Sequence, residues 1–208
     1  GQSNDKPLTT IEAMANYIVN LIKKLKHKKV VPIGHSMGSL ICLSLAAEKK
    51  IHIEKLILIG TALPMKVSDM LLEQSKKDQS KAINNMINWG LPSVAKLNGG
   101  NITGVNLPNY FSNLMNNTQK GVLYKDLIAC NNFLLQEKVI NEINIPVLII
   151  AGDKDIMTPT KSSIYIKNML PNAKLEILNE CGHFHTFEHS NRVRSLINKY
   201  LADGKKKK

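Results

Sequence analysis

The pentapeptide Gly34-His35-Ser36-Met37-Gly38 is the sequence feature that most restricts the fold of this chain. It follows a short apolar run at residues 30–33 and precedes a longer apolar stretch at residues 39–47. Strand, sharp turn and helix are the context in which a G-x-S-x-G motif presents its serine hydroxyl at the end of a sheet. Two glycines favour such a turn, because a Cβ there is expected to clash. The pattern predicts an α/β fold with a nucleophilic serine at position 36. An ordinary turn serine is the alternative.

A serine hydroxyl needs a neighbouring base and an orienting acid before it can attack a carbonyl. Two carboxylates, Asp153 and Asp155, follow one apolar strand candidate, and two histidines, His183 and His185, follow the next. Open α/β sheets place their sites beyond the carboxyl ends of the strands. The order serine, aspartate, histidine along the chain differs from the orders found in trypsin-like and subtilisin-like proteases. From the residues alone, either carboxylate and either histidine can complete the site with Ser36.

Three motifs in this order resemble the α/β-hydrolase family, in its cap-bearing esterase and lipase-like branch. They lie at residues 34–38, 152–159 and 181–183. The resemblance implies a mostly parallel sheet of the α/β-hydrolase type. In that family the acid is the last residue of G-x-x-D and the base is the histidine of a Gly-His pair. The resemblance therefore assigns the acid to Asp155 and the base to His183.

The resemblance also predicts what surrounds the nucleophile. The backbone N–H of Met37 becomes one donor of the oxyanion hole. The family's second donor comes from a loop that nothing before Ser36 resembles, and the family's N-terminal strands have no counterpart after Gly1. Residues 30–33 are then an unpaired apolar edge, and such edges favour association with another chain. We therefore expect residues 1–208 alone to self-associate and to be almost inactive.

A long insertion separates two strand candidates at residues 56–59 and 147–150. It reads as helical segments broken by glycine and proline, because a structureless loop of that length is improbable in a compact domain. We interpret residues 61–145 as a helical cap. Residues 1–60 and 146–208 then form the α/β-hydrolase core.

Apolar residues of the predicted cap are candidates for the wall of an acyl pocket. Met65 and Trp89 are predicted to contact the substrate, together with His35 and Phe184 beside the nucleophile and the base. Further candidates in the cap are Met70, Met86, Phe111 and Met115. The alternative for each cap residue is packing within the cap itself.

The formal net charge of +12 would favour binding to nucleic acid or to an anionic membrane surface. Nearly all positive charge comes from lysines spread along the chain, since the only arginines are Arg192 and Arg194. The sequence has no arginine-rich stripe interleaved with aromatic residues, so we predict no specific nucleic-acid partner. No apolar run is long enough to span a membrane. Weak contact with anionic lipid is the remaining membrane expectation.

The three cysteines, Cys42, Cys130 and Cys181, are unevenly spaced and argue against a disulfide framework or a zinc site. The sequence implies no metal and no organic cofactor, and it favours a cytoplasmic location. The predicted activity is hydrolysis of a small-molecule carboxylic ester with an apolar acyl or alcohol part. The alternative is a non-catalytic hydrolase-fold module. The sequence does not separate esterase from lipase, thioesterase, C–C hydrolase or acyltransferase.

Overall fold

The computed structural model describes residues 6–92 and 106–203. Within these residues the strands are β1 (Ile33–His35), β2 (Leu56–Ile59), β3 (Val147–Gly152) and β4 (Ala173–Leu178). The helices are α1 (Ile11–Lys24), α2 (Met37–Glu48), α3 (Asp69–Lys77), α4 (Gln79–Gly90), α5 (Leu107–Asn116), α6 (Val122–Asn132), α7 (Glu137–Asn141), α8 (Thr160–Met169), α9 (His185–Glu188) and α10 (Ser190–Ala202).

The four strands form one sheet in the order β1-β2-β3-β4, and every pair is parallel. Both β2 and β3 are buried along their whole length, which explains why they are continuous apolar runs. Parallel strands place all their carboxyl ends at the same edge. The loops that follow β1, β3 and β4 therefore converge on one side of the sheet. The prediction of an α/β fold with a parallel sheet is confirmed.

Alternate residues of the strands pack on opposite faces of the sheet. Leu58 faces the cluster that includes Ile11 of α1 and Leu40 of α2, whereas Ile57 faces the cluster that includes Leu196 of α10. Burial of each such side chain contributes about 1.5–3 kcal/mol to the free energy of unfolding. The sheet is thus held between two apolar layers, and this rigid frame carries the strand ends.

The first strand differs from its prediction. Residues 30–33 were expected to form it, but β1 is Ile33–His35, and Val30 makes only an isolated bridge to Ile53. Pro32 lies just before β1, and its carbonyl accepts the N–H of Ile57 at 3.0 Å. A proline is tolerated here because β1 is an edge strand of the described sheet. The self-association expected through this edge stays a prediction.

The insertion between β2 and β3 contains α3 to α7. Its helices form two small apolar clusters of their own, one around Ile83 and Phe111 and the other around Leu71 and Leu127. Residues 1–5, 93–105 and 204–208 of the predicted core and cap lie outside the described residues, and the division into these two units stays a prediction. None of the described helices is both long and apolar enough to cross a membrane.

Candidate active site

Ser36 occupies the turn between β1 and α2 with φ 53° and ψ −120°. A Cβ at Gly34 would lie 2.2 Å from the carbonyl oxygen of Gly38, so the close approach of these two backbone segments requires glycine at position 34. At Gly38 a Cβ would meet nothing within 4 Å. The expectation that both glycines of the motif are sterically required therefore holds for Gly34 and is wrong for Gly38.

Backbone hydrogen bonds hold this unusual conformation from both sides. The N–H of Ser36 donates to the carbonyl of Ile59 at 2.9 Å, which joins the turn to β2. The carbonyl of Ser36 accepts the hydroxyl of Ser39 at 2.6 Å, and that hydroxyl also lies 2.9 Å from Oγ1 of Thr61. The sheet and the first turn of α2 together fix where the Ser36 hydroxyl points.

His183 lies in the loop after β4 and bridges the other two predicted catalytic residues. Its Nε2 is 2.9 Å from Oγ of Ser36, and its Nδ1 is 2.8 Å from Oδ2 of Asp155. The imidazole is almost completely buried. Its backbone N–H donates to the carbonyl of Gly90 at 2.7 Å, so the insertion also supports this loop. The structure thus brings Ser36, His183 and Asp155 into one hydrogen-bonded triad.

The carboxylate of Asp155 is held by the turn that follows β3. Its Oδ1 accepts the N–H groups of Met157 and Thr158, each at 2.9 Å, and its Oδ2 accepts the hydroxyl of Thr158 at 2.6 Å. Burial raises the pKa of Asp155, but the hydrogen bond and charge of His183 and the donors of Thr158 outweigh burial. The pKa of Asp155 is therefore lower than its usual value. An ionised carboxylate at this position can orient an imidazole and stabilise its positive charge.

The competing acid and base bind other partners, although Nε2 of His185 lies 3.8 Å from Oδ2 of Asp155. Asp153 accepts the N–H of Cys181 at 3.2 Å and pairs with Lys154 at the surface. His185 is fully buried, and its Nδ1 donates to the carbonyl of His183 at 2.7 Å. Because a carbonyl only accepts, the proton of His185 is on Nδ1. The structure therefore brings neither Asp153 nor His185 to the nucleophile.

His35 was predicted to contact the substrate, and the structure places it elsewhere. Its Nε2 donates to the same carbonyl of His183, also at 2.7 Å. A half-buried imidazole and a fully buried one thus support the backbone of the predicted base. Burial, with the nearby imidazoles, lowers the pKa of His35 to about 3. Burial likewise lowers the pKa of His185 to about 4. Both rings are neutral donors in the folded protein near neutral pH.

These two histidines make the folded state sensitive to acid. Below the ordinary pKa of 6.5 the unfolded chain binds protons that the folded chain excludes, so the free energy of unfolding falls as the pH falls. For each histidine, the free energy of unfolding is expected to fall by about 2 kcal/mol between pH 7 and pH 5. We expect urea denaturation of His35→Gln or His185→Asn to show a smaller pH dependence than the wild type by that amount. The exposed His27→Gln variant is the control, and equal slopes in all four proteins would contradict the prediction.

Glu188 has a structural role that the sequence did not reveal. Its buried carboxylate accepts the N–H groups of Gly182 and Phe184, each at 2.8 Å. Burial raises the pKa of Glu188 despite these two hydrogen bonds. The carboxylate fixes the backbone on both sides of His183. The sequence signal for this role was an acidic residue that follows the Gly-His pair at a short distance.

A cavity of about 360 Å³ opens beside the nucleophile, and we call it the Ser36 cavity. Its lining is mostly apolar and comes from the turn at Ser36, the insertion and the loop after β3. The lining residues are Ser36, Met37, Met65, Lys66, Val67, Ser68, Leu71, Met86, Trp89, Leu123, Asp126, Leu127, Cys130, Ile156, Met157 and Thr158. The structure thus places Met65 and Trp89, both predicted substrate contacts, on the wall of this cavity.

Phe184 does not line the Ser36 cavity. Its ring stacks on Phe111 with centroids 3.9 Å apart and also packs beside Gly90. Met115 joins the same apolar cluster, and Met70 is half exposed on the surface. Packing against the helices of the insertion therefore explains Phe184 and Met115 but not Met70.

Met37 is the first residue of α2 and lies on the wall of the Ser36 cavity. Backbone N–H groups in the first turn of a helix have no partner within the helix, and the helix dipole adds positive potential there. This end of α2 can therefore stabilise an oxyanion beside Ser36.

Across residues 6–92 and 106–203, no cluster of three or more histidine, cysteine or acidic residues could hold a metal ion.

Comparison with known proteins decides the family. The family model described as alpha/beta hydrolase fold matches residues 1–102 and 106–190. The chain belongs to the α/β-hydrolase family. Among solved structures, an esterase from Exiguobacterium antarcticum has a TM-score of 0.83 at 22% identity, over 98% of this chain and 78% of that one. The likeness of these structures shows that the fold is shared.

Curated relatives place the chain in the esterase and lipase-like part of the family. "Putative esterase/lipase 2" from Mycoplasma pneumoniae is 23% identical over 221 residues, which cover 100% of this chain and 76% of that protein. Lipase 3 from a Moraxella species is 28% identical over 188 residues, covering 84% of this chain and only 56% of the lipase. A 2-hydroxy-6-oxononadienedioate/2-hydroxy-6-oxononatrienedioate hydrolase from a Pseudomonas species is 22% identical over 200 residues, or 91% of this chain and 69% of that protein.

Proposed function

We propose that this protein is a serine hydrolase that cleaves carboxylic esters with an apolar acyl or alcohol part. The observation that carries the proposal is the hydrogen-bonded chain from Ser36 through His183 to Asp155, with Ser36 opening into an apolar cavity. A half-buried nucleophile that contacts a buried base and a buried acid in this arrangement suits acyl transfer. The α/β-hydrolase family and the esterase and lipase names of the relatives agree with it.

The reaction has two steps. In the first, the Ser36 oxygen attacks the ester carbonyl while Nε2 of His183 accepts the hydroxyl proton. The tetrahedral intermediate then collapses, and the alcohol leaves with that proton, so that an acyl-serine remains. In the second step, His183 takes a proton from water, the resulting hydroxide attacks the acyl-serine, and the carboxylic acid departs as Ser36 recovers its proton. Asp155 keeps the imidazole oriented and stabilises its charged form throughout.

In this mechanism the Met37 N–H donates to the oxyanion that forms in each step. Its place at the positive end of α2 supports the assignment. The helices of the insertion act as the cap, since Met65, Met86 and Trp89 cover the cavity beside the nucleophile. The apolar part of the substrate is expected to occupy this cavity and to exclude water from it.

The cavity favours an ester over the doubly charged substrate that the name of the Pseudomonas relative states. A dicarboxylate needs cationic partners, whereas the Ser36 cavity contains one lysine, Lys66, and one carboxylate, Asp126, among its described lining residues. The ammonium of Lys66 already donates to the carbonyl of Asn131 at 3.2 Å. Carbon–carbon bond cleavage of a dianion is therefore the less suitable reaction for this cavity.

The experiment is an assay of the purified protein on p-nitrophenyl butyrate and on a 2-hydroxy-6-oxononadienedioate substrate. We expect turnover of the ester, at a low rate in residues 1–208 alone because only the Met37 donor of the oxyanion hole is identified there. We also expect mass spectrometry of the acid-quenched reaction to detect a butyryl group on the peptide that contains Ser36. Preferred cleavage of the dienedioate would contradict the proposed substrate class. No turnover and no acylated peptide would instead favour a non-catalytic module.

A further inference from the structure

The Ser36 cavity contains a carboxylate for which the proposed mechanism has no use. Asp126 of α6 lies on the cavity wall together with apolar side chains such as Met86, Trp89 and Leu123. Its side chain is half-buried. Within the described part of the chain, no hydrogen bond or ion pair reaches the Asp126 carboxylate. It is an ionisable group on the wall of the cavity, and none of residues 6–92 and 106–203 bonds to its carboxylate.

The other polar groups of the cavity wall are already engaged. The hydroxyls of Ser36 and Thr158 belong to the triad and its support. The hydroxyl of Ser68 caps α3, and the ammonium of Lys66 donates to the carbonyl of Asn131. Asp126 is therefore the polar side chain of the described wall that remains available for a ligand.

An unpaired carboxylate beside apolar side chains is costly for the folded protein. Burial raises the pKa of Asp126 to about 6, and its charge in turn contributes to the raised pKa of the nearby Cys130 thiol. Partial loss of hydration disfavours the charged form of this half-buried carboxylate. A hydrogen-bond donor brought in by a ligand would offset this cost.

We propose that Asp126 determines substrate specificity by accepting a hydrogen bond from a hydroxyl or ammonium group on the part of the ester that occupies the Ser36 cavity. The inference rests on the proposed ester-hydrolase function and narrows its substrate class. Esters with a donor group near the end of the apolar chain are preferred. Esters with a carboxylate at that position are rejected, because two negative charges would then meet in a poorly solvated cavity.

The test compares p-nitrophenyl hexanoate with its ω-hydroxy, ω-ammonio and ω-carboxy derivatives. Butyrates of hexanol and of the matching ω-substituted alcohols cover the case in which the alcohol occupies the cavity. The proteins are wild type, Asp126→Asn, Asp126→Leu and, as a control acid on the exposed C-terminal side, Asp203→Asn. The quantity measured is kcat/KM of each derivative relative to its unsubstituted ester.

In the wild type and in Asp203→Asn we expect a preference for a donor-bearing ester in one of the two series. A hydrogen bond to a charged group corresponds to about a 10- to 100-fold preference. Asp126→Leu removes this preference and raises the relative rate on the ω-carboxy ester. In Asp126→Asn the preference for ammonium falls more than the preference for hydroxyl, since the amide oxygen still accepts but carries no charge. This difference separates a charged ligand group from a neutral one.

Equal preferences in the wild type and in Asp126→Leu, with the unsubstituted esters still cleaved, would overturn this inference and leave the proposed function intact. Absence of hydrolysis for every ester, together with no acylation of Ser36, would overturn both. Circular dichroism detects whether Asp126→Leu is unfolded. If it is, the substrate preferences of Asp126→Asn are compared with those of the wild type instead.

Discussion

Replacing Ser36 by alanine is expected to lower kcat for ester hydrolysis by about 10⁴- to 10⁶-fold, because the residues of a catalytic triad act as one unit. Covalent labelling by a fluorophosphonate probe, in which the serine oxygen displaces fluoride from phosphorus, is expected to disappear. His183→Ala is expected to show nearly the same loss, since His183 Nε2 is the group 2.9 Å from the Ser36 hydroxyl. Gel fluorescence of the labelled protein and initial rates on p-nitrophenyl butyrate measure the two effects.

Ser39→Ala is the matched control for this experiment. Ser39 lies one helical turn beyond the nucleophile, and its hydroxyl contacts the Ser36 carbonyl and Thr61 but not His183. This variant is expected to keep the labelling while losing roughly 1 kcal/mol of stability from the broken hydrogen bonds. Labelling that persists in Ser36→Ala would show that another residue is the nucleophile.

Replacing Asp155 by asparagine is expected to lower kcat by about 10⁴-fold while the fold is retained. The amide no longer stabilises the imidazolium, and its NH₂ group favours the tautomer of His183 in which Nε2 carries the proton. Nε2 then cannot accept the proton of Ser36. The N–H groups of Met157 and Thr158 that bind the native carboxylate also lose a charged acceptor. The rate on p-nitrophenyl butyrate and a thermal melt separate lost catalysis from lost folding.

Asp153→Asn is the matched variant, since it removes the neighbouring carboxylate of the same turn. Asp153 binds the N–H of Cys181 and pairs with Lys154, so its loss is expected to change kcat by less than about tenfold. If Asp153→Asn were the more damaging change, the acid would have to be assigned to Asp153.

The positions of the strands and the convergence of the site followed largely from the sequence. The predicted strand at residues 56–59 coincides with β2, and the one at residues 147–150 forms most of β3. These strands are recognisable because parallel strands buried between helices are short apolar runs bounded by polar loops. The first strand was misplaced by about three residues, since its apolar run precedes the segment that pairs with β2.

Side-chain directions in the loops were much harder to predict. Asp153 and Asp155 are two residues apart in one turn, yet one faces the surface and the other faces His183. His35 and Phe184 adjoin the nucleophile and the base in the sequence, and both point away from the cavity. A tight turn rotates successive side chains by large angles, so that neighbours in the chain need not be neighbours in the site.

The sequence by itself determined the family, the parallel α/β fold and the order in which serine, aspartate and histidine reach the edge of the sheet. These properties depend on local patterns, namely apolar runs, a glycine-bounded turn and motif spacing, and local patterns are readable along the chain. From the residues alone either carboxylate and either imidazole could complete the site, and only the family resemblance favoured Asp155 and His183. The tertiary structure alone decided that His35 and Glu188 bind the backbone around His183 and that Asp126 lies on the wall of the apolar cavity. These properties depend on contacts between segments far apart in sequence, such as α6 and the turn at Ser36. Such contacts arise only when the insertion packs over the ends of the strands.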